Sequence, residues 1–263
     1  MRIQGDDPVI DELLKGRETL FNLIFMIRGD ENARLYSDKR SYLTAQTNAS
    51  TPMWMYVNER ADEKTDELFC VFSEALGENA DLVIIAEAGA EGLLSRFAKE
   101  KGLSVSKRRT MTAYSVKNVR EVRPEGKLIA SDEQYIPEIA KLVQQMTIDD
   151  HAGALTDEEA LQFARKHANS ENLHLWQDGG VVSMARIVRY VAKYARVTSV
   201  VTERKARGNG YAKMLVGELS KRLLAEGIIP VLYANSDNPS SNCCYRHLGF
   251  DEAGEVTEFC FDK

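Results

Sequence analysis

The sequence predicts an α/β (α+β) chain: a mixed, mostly antiparallel sheet flanked by helices in the C-terminal half, preceded by a second α/β domain. Three observations predict it. Apolar runs rich in β-branched residues alternate with stretches of helical period along the whole 263 residues. The apolar runs at 173–177 and 181–191 are joined by Asp178-Gly179-Gly180, the turn chemistry of an antiparallel hairpin. Between the halves, Val122-Arg123-Pro124-Glu125-Gly126 is polar and carries both Pro and Gly. It places a linker at 119–126, between a domain of residues 1–118 and one of residues 127–263, as the chain length also suggests.

Composition narrows the classes. An apolar fraction of 44% and a charged fraction of 28% are ordinary for a soluble globular protein, and a net charge of -6 speaks against a nucleic-acid partner. The apolar stretch 20–27 is interrupted by Asn22 and too short to span a bilayer, and the first residues are acidic rather than basic. No signal peptide, no membrane partner and a cytoplasmic location are therefore expected. Cys70, Cys243, Cys244 and Cys260 show neither zinc-ligand nor C-x-x-C spacing, so no metal is expected and free thiols in a reducing compartment are the simplest reading.

In the first half, Asp7-Pro8 reads as an N-cap with proline at N1, opening one helix to Arg28 that Gly29 stops. Ile10, Leu13, Leu14, Phe21, Ile24 and Phe25 form its apolar face. Strands at 42–47 and 53–57 flank the turn-forming Asn48-Ala49-Ser50-Thr51-Pro52. A helix over 62–76, a strand at 82–86, a helix over 92–100 and a strand over 104–116 complete this half. Lys107-Arg108-Arg109 reads as a solvated strand edge in an acidic chain. No motif before residue 118 carries visible chemistry.

After the linker, 128–130 form a strand. Ser131 with Gln134 makes a capping-box pattern ahead of Ile136, Ile139, Ala140 and Val143, and Thr156 with Glu159 makes another before a helix reaching Ala168. The hairpin follows, and then the stretch on which the chemistry turns. It comprises an apolar run at 197–202, a basic glycine-bearing turn at 203–210, and a helix over 211–226 with Leu215, Leu219 and Leu223 on one face and Gly227 to end it. A strand feeding a glycine turn into a helix N-terminus leaves backbone N–H groups unpaired at the positive end of a dipole, which is an anion site. Arg204, Lys205, Arg207 and Lys213 add charge of the same sign, and Gly208 and Gly210 let an oxygen lie against the backbone. The expected ligand is a phosphate ester.

The turn lacks the Gly-Lys-Ser/Thr end of a P-loop, and Lys213 stands where a dinucleotide fingerprint needs a third small residue. Arg207-Gly208-Asn209-Gly210-Tyr211-Ala212 instead resembles the Q/R-x-x-G-x-G/A signature of the GCN5-related N-acetyltransferase (GNAT) family. A second landmark follows in order: a strand at 231–235, then the Asn-rich turn through Asn238, Asn242 and Tyr245 to Gly249-Phe250, with a last strand at 256–261. The layout of residues 127–262 is similar to that family's, and the first half resembles a degenerate acetyltransferase-type half.

The resemblance implies transfer of an acetyl group from acetyl-CoA, a cosubstrate, to an amine by direct attack. It places the CoA diphosphate on the amides of Arg207, Gly208, Asn209, Gly210, Tyr211 and Ala212, and the pantetheine arm along Val200, Val201 and Thr202. Asn238 and Asn242 would hold the pantetheine or cap the helix, and Tyr245 would protonate the leaving thiolate. Some relatives place a carboxylate base on the strand before the glycine turn, but this strand has Tyr194, Arg196, Thr198 and Ser199. Asp149, Asp150, His151 and His174 read more simply as loop-capping or solvent-facing groups. Two other readings stay open: a CoA-binding sensor or scaffold without turnover, and a nucleotide-binding module.

Overall fold

The structure, a computed structural model, describes residues 1–123, 125–149, 153–191 and 193–263, without the side chains of residues 62–64, 190 and 191. Helices α1 (Val9–Leu13) and α2 (Asn22–Ile27) are followed by β1 (Arg34–Ser37), β2 (Tyr42–Gln46), β3 (Met53–Val57), α3 (Thr65–Glu78), β4 (Val83–Ala86), α4 (Glu91–Glu100) and β5 (Ser104–Ser115). Then come β6 (Lys127–Ala130), α5 (Ile136–Asp149), α6 (Asp157–His167), β7 (Leu173–Asp178), β8 (Gly180–Val191), β9 (Tyr194–Thr202), α7 (Tyr211–Ala225), β10 (Ile229–Asn235), α8 (Pro239–Leu248) and β11 (Asp251–Asp262).

The chain forms two compact units: Met1–Tyr114 with Tyr233–Pro239 and Glu252–Lys263, and Ser115–Leu232 with Ser240–Asp251. The last strand joins the first unit because β11 pairs antiparallel with β4, from Thr257↔Ala86 to Cys260↔Val83. Its alternation then sends Phe259 into that unit's core, beside Phe72 and Phe97.

In the first unit the strands run in the order β1-β2-β3-β4-β11-β5. Its core is aromatic, with Phe72 and Phe97 edge-to-face at 5.2 Å and Phe97 and Phe261 at 5.5 Å. The single helix expected to Arg28 is two short ones. Gly16 takes φ 78° and the Arg17 N–H donates to Leu14 O at 2.8 Å, which reverses the chain between them. Strand β1 was not legible, since four residues leave no period to read. Nor is Lys107-Arg108-Arg109 simply a solvated edge: Arg108 Nε at 2.7 Å and Arg109 Nη2 at 2.5 Å donate to Glu258, whose side chain is 2% exposed. A carboxylate at that depth costs several kcal/mol unless it is paired, so these arginines are what permits it.

In the second unit the order is β10-β9-β8-β7-β6. Helices α5 and α6 bury Ile139, Leu142, Val143, Ala160 and Ala164 against Leu173, Leu175, Met184 and Val201 of the sheet. Helix α7 packs on β7, β8 and β9 through the face its period predicts, with Leu215, Leu219 and Leu223 at most 1% exposed. Each contributes roughly 1.5–3 kcal/mol of burial. The capping box at α6 forms as read: Glu159 N–H donates to Thr156 Oγ1 and Thr156 N–H donates to Glu159 Oε2. The one ahead of α5 does not. There Asp132 accepts from Gln134 N–H at 3.1 Å, and Ser131 Oγ donates to Ser170 O.

Gly249, at the end of α8, has φ 91°, and a Cβ there would sit 2.9 Å from the backbone oxygen of Asn118. Half of the Gly-Phe landmark is thus explained by backbone geometry. Gly249→Ala is expected to destabilise the protein by roughly 2 kcal/mol, from a strained left-handed residue plus the contact. Urea unfolding measures it; a midpoint equal to wild type would mean that the approach relaxes freely.

Candidate functional site

The site grows out of an interrupted ladder. Strands β9 and β10 are parallel and paired only from Ile229↔Tyr194 to Val231↔Arg196, while β9 runs on to Thr202, held on its other side by β8. Two steps along β8, Met184 to Arg186, are matched by three along β9, Val201 to Thr198. The extra residue is a β-bulge, and Ser199 takes φ 52° within it. The β10-facing edge of residues 197–202 therefore carries no ladder among the described residues.

The turn after β9 is tightly wound at first and then open. Ala206 N–H donates to Glu203 O at 2.8 Å and Arg207 N–H to Arg204 O at 3.4 Å, whereas Met214 N–H is the first to close α7, onto Gly210 O at 3.0 Å. Among the described residues no backbone bond takes the amides of Gly208 to Lys213, so five of the six expected amides, Gly208 to Ala212, are open while that of Arg207 is held by Arg204 O. Gly208 and Gly210 hold φ 87° and 80°, and Gly210 is the N-cap of α7. Tyr211 Oη donates to Asp178 Oδ2 at 2.6 Å, tying the first turn of α7 to the hairpin turn.

Two cations of this turn, Arg204 and Arg207, already have an anion. Arg204 Nη2 donates to Asp149 Oδ1 at 2.8 Å, Arg207 Nη2 bonds the other oxygen, and Lys141 Nζ meets Glu203 at 2.5 Å. The Gln145 amide bridges the turn, donating to Thr202 O and accepting from Arg204 N–H, both at 2.8 Å. Burial alone would raise the Asp149 carboxyl, but hydrogen bonds and charge from Arg204 and Arg207 outweigh it and hold it below its usual range. Asp149, read from sequence as a loop cap, latches the basic turn through both carboxylate oxygens.

Because its folded-state value is depressed, the latch is intact above the ordinary aspartate range and opens only as pH falls below it. At neutral pH, Asp149→Asn is the way to open it. The variant is expected to bind CoA about three- to tenfold more tightly, with a steeper salt dependence, as two guanidiniums become available to phosphate. Calorimetric titration at two salt concentrations checks this; weaker binding would mean that Asp149 orients Arg207 rather than competing for it.

The remaining expected residues distribute unevenly. Tyr245 is 7% exposed on α8, its ring 5.9 Å from Phe250 and tilted 58°, and Asn242 is 4% exposed one turn earlier. Asn238 belongs to the first unit, its N–H donating to Asn235 O at 3.0 Å. Just before it, the Asn235 side chain accepts from Asp237 N–H at 3.0 Å, an Asx turn at the end of β10. His174 is half-buried rather than solvent-facing, and burial, then the charges of Arg222 and Arg189, pushes its imidazole down. Asp150 and His151 lie outside the described residues.

All four cysteines are free, and burial pushes the Cys244 thiol up to about 11. Among the described residues, no group of His, Cys, Asp and Glu could hold a metal ion, and no helix is long and apolar enough to cross a membrane.

Comparison with known proteins bears on the fold. The family model described as FR47-like protein, a GNAT-related family, matches residues 181–260, which hold β8, β9, the glycine turn, α7, β10 and α8. No curated protein matches the sequence. Among solved structures, a GCN5-related N-acetyltransferase from Sphaerobacter thermophilus is similar over 99% of this chain and 93% of its own, at TM-score 0.65 and 13% identity. An acetyltransferase of the GNAT family from Colwellia psychrerythraea is similar over 100% and 98%, at TM-score 0.62 and 13% identity. A tandem GNAT protein from the clavulanic acid biosynthesis pathway is similar over 99% and 97%, at TM-score 0.55 and 13% identity. The chain thus has the fold of the GCN5-related N-acetyltransferases throughout, with an FR47-like sequence in residues 181–260.

Proposed function

We propose that the chain transfers an acetyl group from acetyl-CoA to an amine by direct attack of the amine on the thioester. One observation supports this reading above the others: the unladdered edge of β9 runs, through the bulge at Ser199, into a turn whose amides at 208–213 are open. An extended pantetheine arm would add to Val200, Val201 and Thr202 as a strand does, with its diphosphate on those amides and on Arg207. The N–H of Val200 or Val201, beside the bulge, would donate to the thioester oxygen as it becomes an oxyanion. Asn242 would hold the pantetheine, and the Tyr245 phenol would protonate the leaving thiolate. Deprotonating a lysine-like amine of pKa about 10.4 at pH 7 costs about 4.6 kcal/mol. With Asp149 engaged by two guanidiniums, a water chain or a desolvating acceptor pocket would have to meet that cost.

The test is acetyl-CoA turnover against a panel of amines, amino acids and peptides, followed by free-thiol release, with calorimetric CoA binding in parallel. Amine-dependent release is expected. Tight binding with no release from any acceptor would favour a CoA-binding sensor, and absence of CoA binding would overturn both readings.

A further inference from the structure

We infer that the acceptor amine also carries a carboxylate, and that Arg186 on β8 is the group that holds it. The inference rests on the transferase reading above and narrows its acceptor.

Arg186 lies mid-strand, opposite Leu173 on β7 and Thr198 on β9. Residues paired across an antiparallel ladder share a face, so Arg186 projects with Leu173 and Met184 to the side that α5 and α6 cover. There its guanidinium carbon lies 5.7 Å from the centre of the Phe163 ring on α6. Its Nε is closed to solvent and has no hydrogen-bond partner, and no described carboxylate pairs with the side chain. Arg196, opposite Val188, puts a second guanidinium on the same face.

His167, one turn beyond Phe163 and 4.5 Å from it ring to ring, does not neutralise this charge. Burial, then the charge of Arg186, lowers its imidazole, so it stays neutral around pH 7.

A half-buried cation without a counter-ion is expensive, and Arg108 and Arg109 by contrast find Glu258. The Phe163 ring offers a quadrupole but no negative charge. A planar fork of donors against a flat apolar wall suits a carboxylate, taken bidentately. Thr198, across from Arg186, adjoins the bulge at Ser199 and stands two residues from Val200. An acceptor spanning that interval carries its carboxylate a few bonds from its amine, as an amino acid does and a polyamine does not.

The experiment compares each of a set of free amino acids with its own carboxamide as acceptor, by thiol release, in wild type, Arg186→Gln and Arg186→Lys. Wild type is expected to use the acid about tenfold better in kcat/KM, since only the acid completes a charge-assisted pair. Arg186→Gln is expected to erase that preference by raising KM for the acid, leaving kcat and carboxamide turnover within about twofold, and Arg186→Lys to restore part of it. Equal use of acid and amide by wild type, or a loss in Arg186→Gln that falls equally on both, overturns the inference while the transferase stands.

Should no acceptor release thiol, the transferase reading fails, and the anion site is read separately from the thermal midpoint in excess amino acid or carboxamide. A rise with the acids alone, absent in Arg186→Gln, supports the site, and no acid-specific rise overturns it. Unchanged CoA affinity serves as the folding control for both variants, and the wild-type comparison decides even if a variant fails to fold.

Discussion

Tyr245→Phe is expected to lower kcat about 100-fold while CoA affinity stays within about twofold, the range for loss of a positioned general acid. The side chain is 7% exposed and packs against Phe250, so its ring already has a structural role that phenylalanine would keep. What the substitution removes is the hydroxyl alone, and the folded state should lose no more than about 1 kcal/mol. A second readout separates acid catalysis from packing. With an acyl donor whose thiol is acidic enough to leave unprotonated, the loss should shrink towards nothing, whereas a packing defect would slow both donors alike. An unchanged kcat with acetyl-CoA would take Tyr245 out of the mechanism.

Gly210→Val is expected to weaken CoA binding about 100-fold, through a backbone that cannot hold its left-handed position for roughly 1–3 kcal/mol. Space is not the obstacle: a Cβ at Gly210 would meet Met214 Cε at 3.7 Å and Lys213 Cε at 3.8 Å, ordinary contacts. The cost is conformational, at φ 80° and ψ 10°, and relaxing it would turn the open amides of residues 208–213 out of register with a diphosphate. Gly210→Asn, which tolerates that region better, should recover most of the affinity. Calorimetry with CoA and with inorganic pyrophosphate should show parallel losses; equal affinity in wild type and Gly210→Val would mean the diphosphate lies elsewhere.

Much of the second unit was legible because its signals are local. The period of Leu215, Leu219 and Leu223 gave the buried face of α7, Thr156 with Glu159 gave a capping box, and Asp178-Gly179-Gly180 gave the hairpin. What escaped depends on residues far apart in the chain. Asp149 looked like a loop cap until the fold brought it to Arg204 and Arg207, 55 and 58 residues on. Glu258 was one charge among many until Arg108 and Arg109, about 150 residues earlier, closed on it. Arg186 was invisible for the opposite reason, since one of two arginines in a strand becomes informative only once Arg189 proves to pair with Glu226 and no described carboxylate pairs with Arg186. The break between α1 and α2 was missed because the apolar face continues in phase across it, and only the positive φ of Gly16 reveals the reversal.

The place of β11 bears on synthesis. As the chain emerges, β4 must wait through some 170 further residues before Thr257 to Cys260 arrive to cover its edge. During that interval Val83-Ile84-Ile85-Ala86, apolar and uncharged, stands as a bare strand margin of the kind that recruits foreign strands. The Phe72–Phe97 cluster meanwhile lacks Phe259 and Phe261. The first unit is thus born before it can be finished, and protection of that margin on the ribosome falls to whatever binds nascent chains.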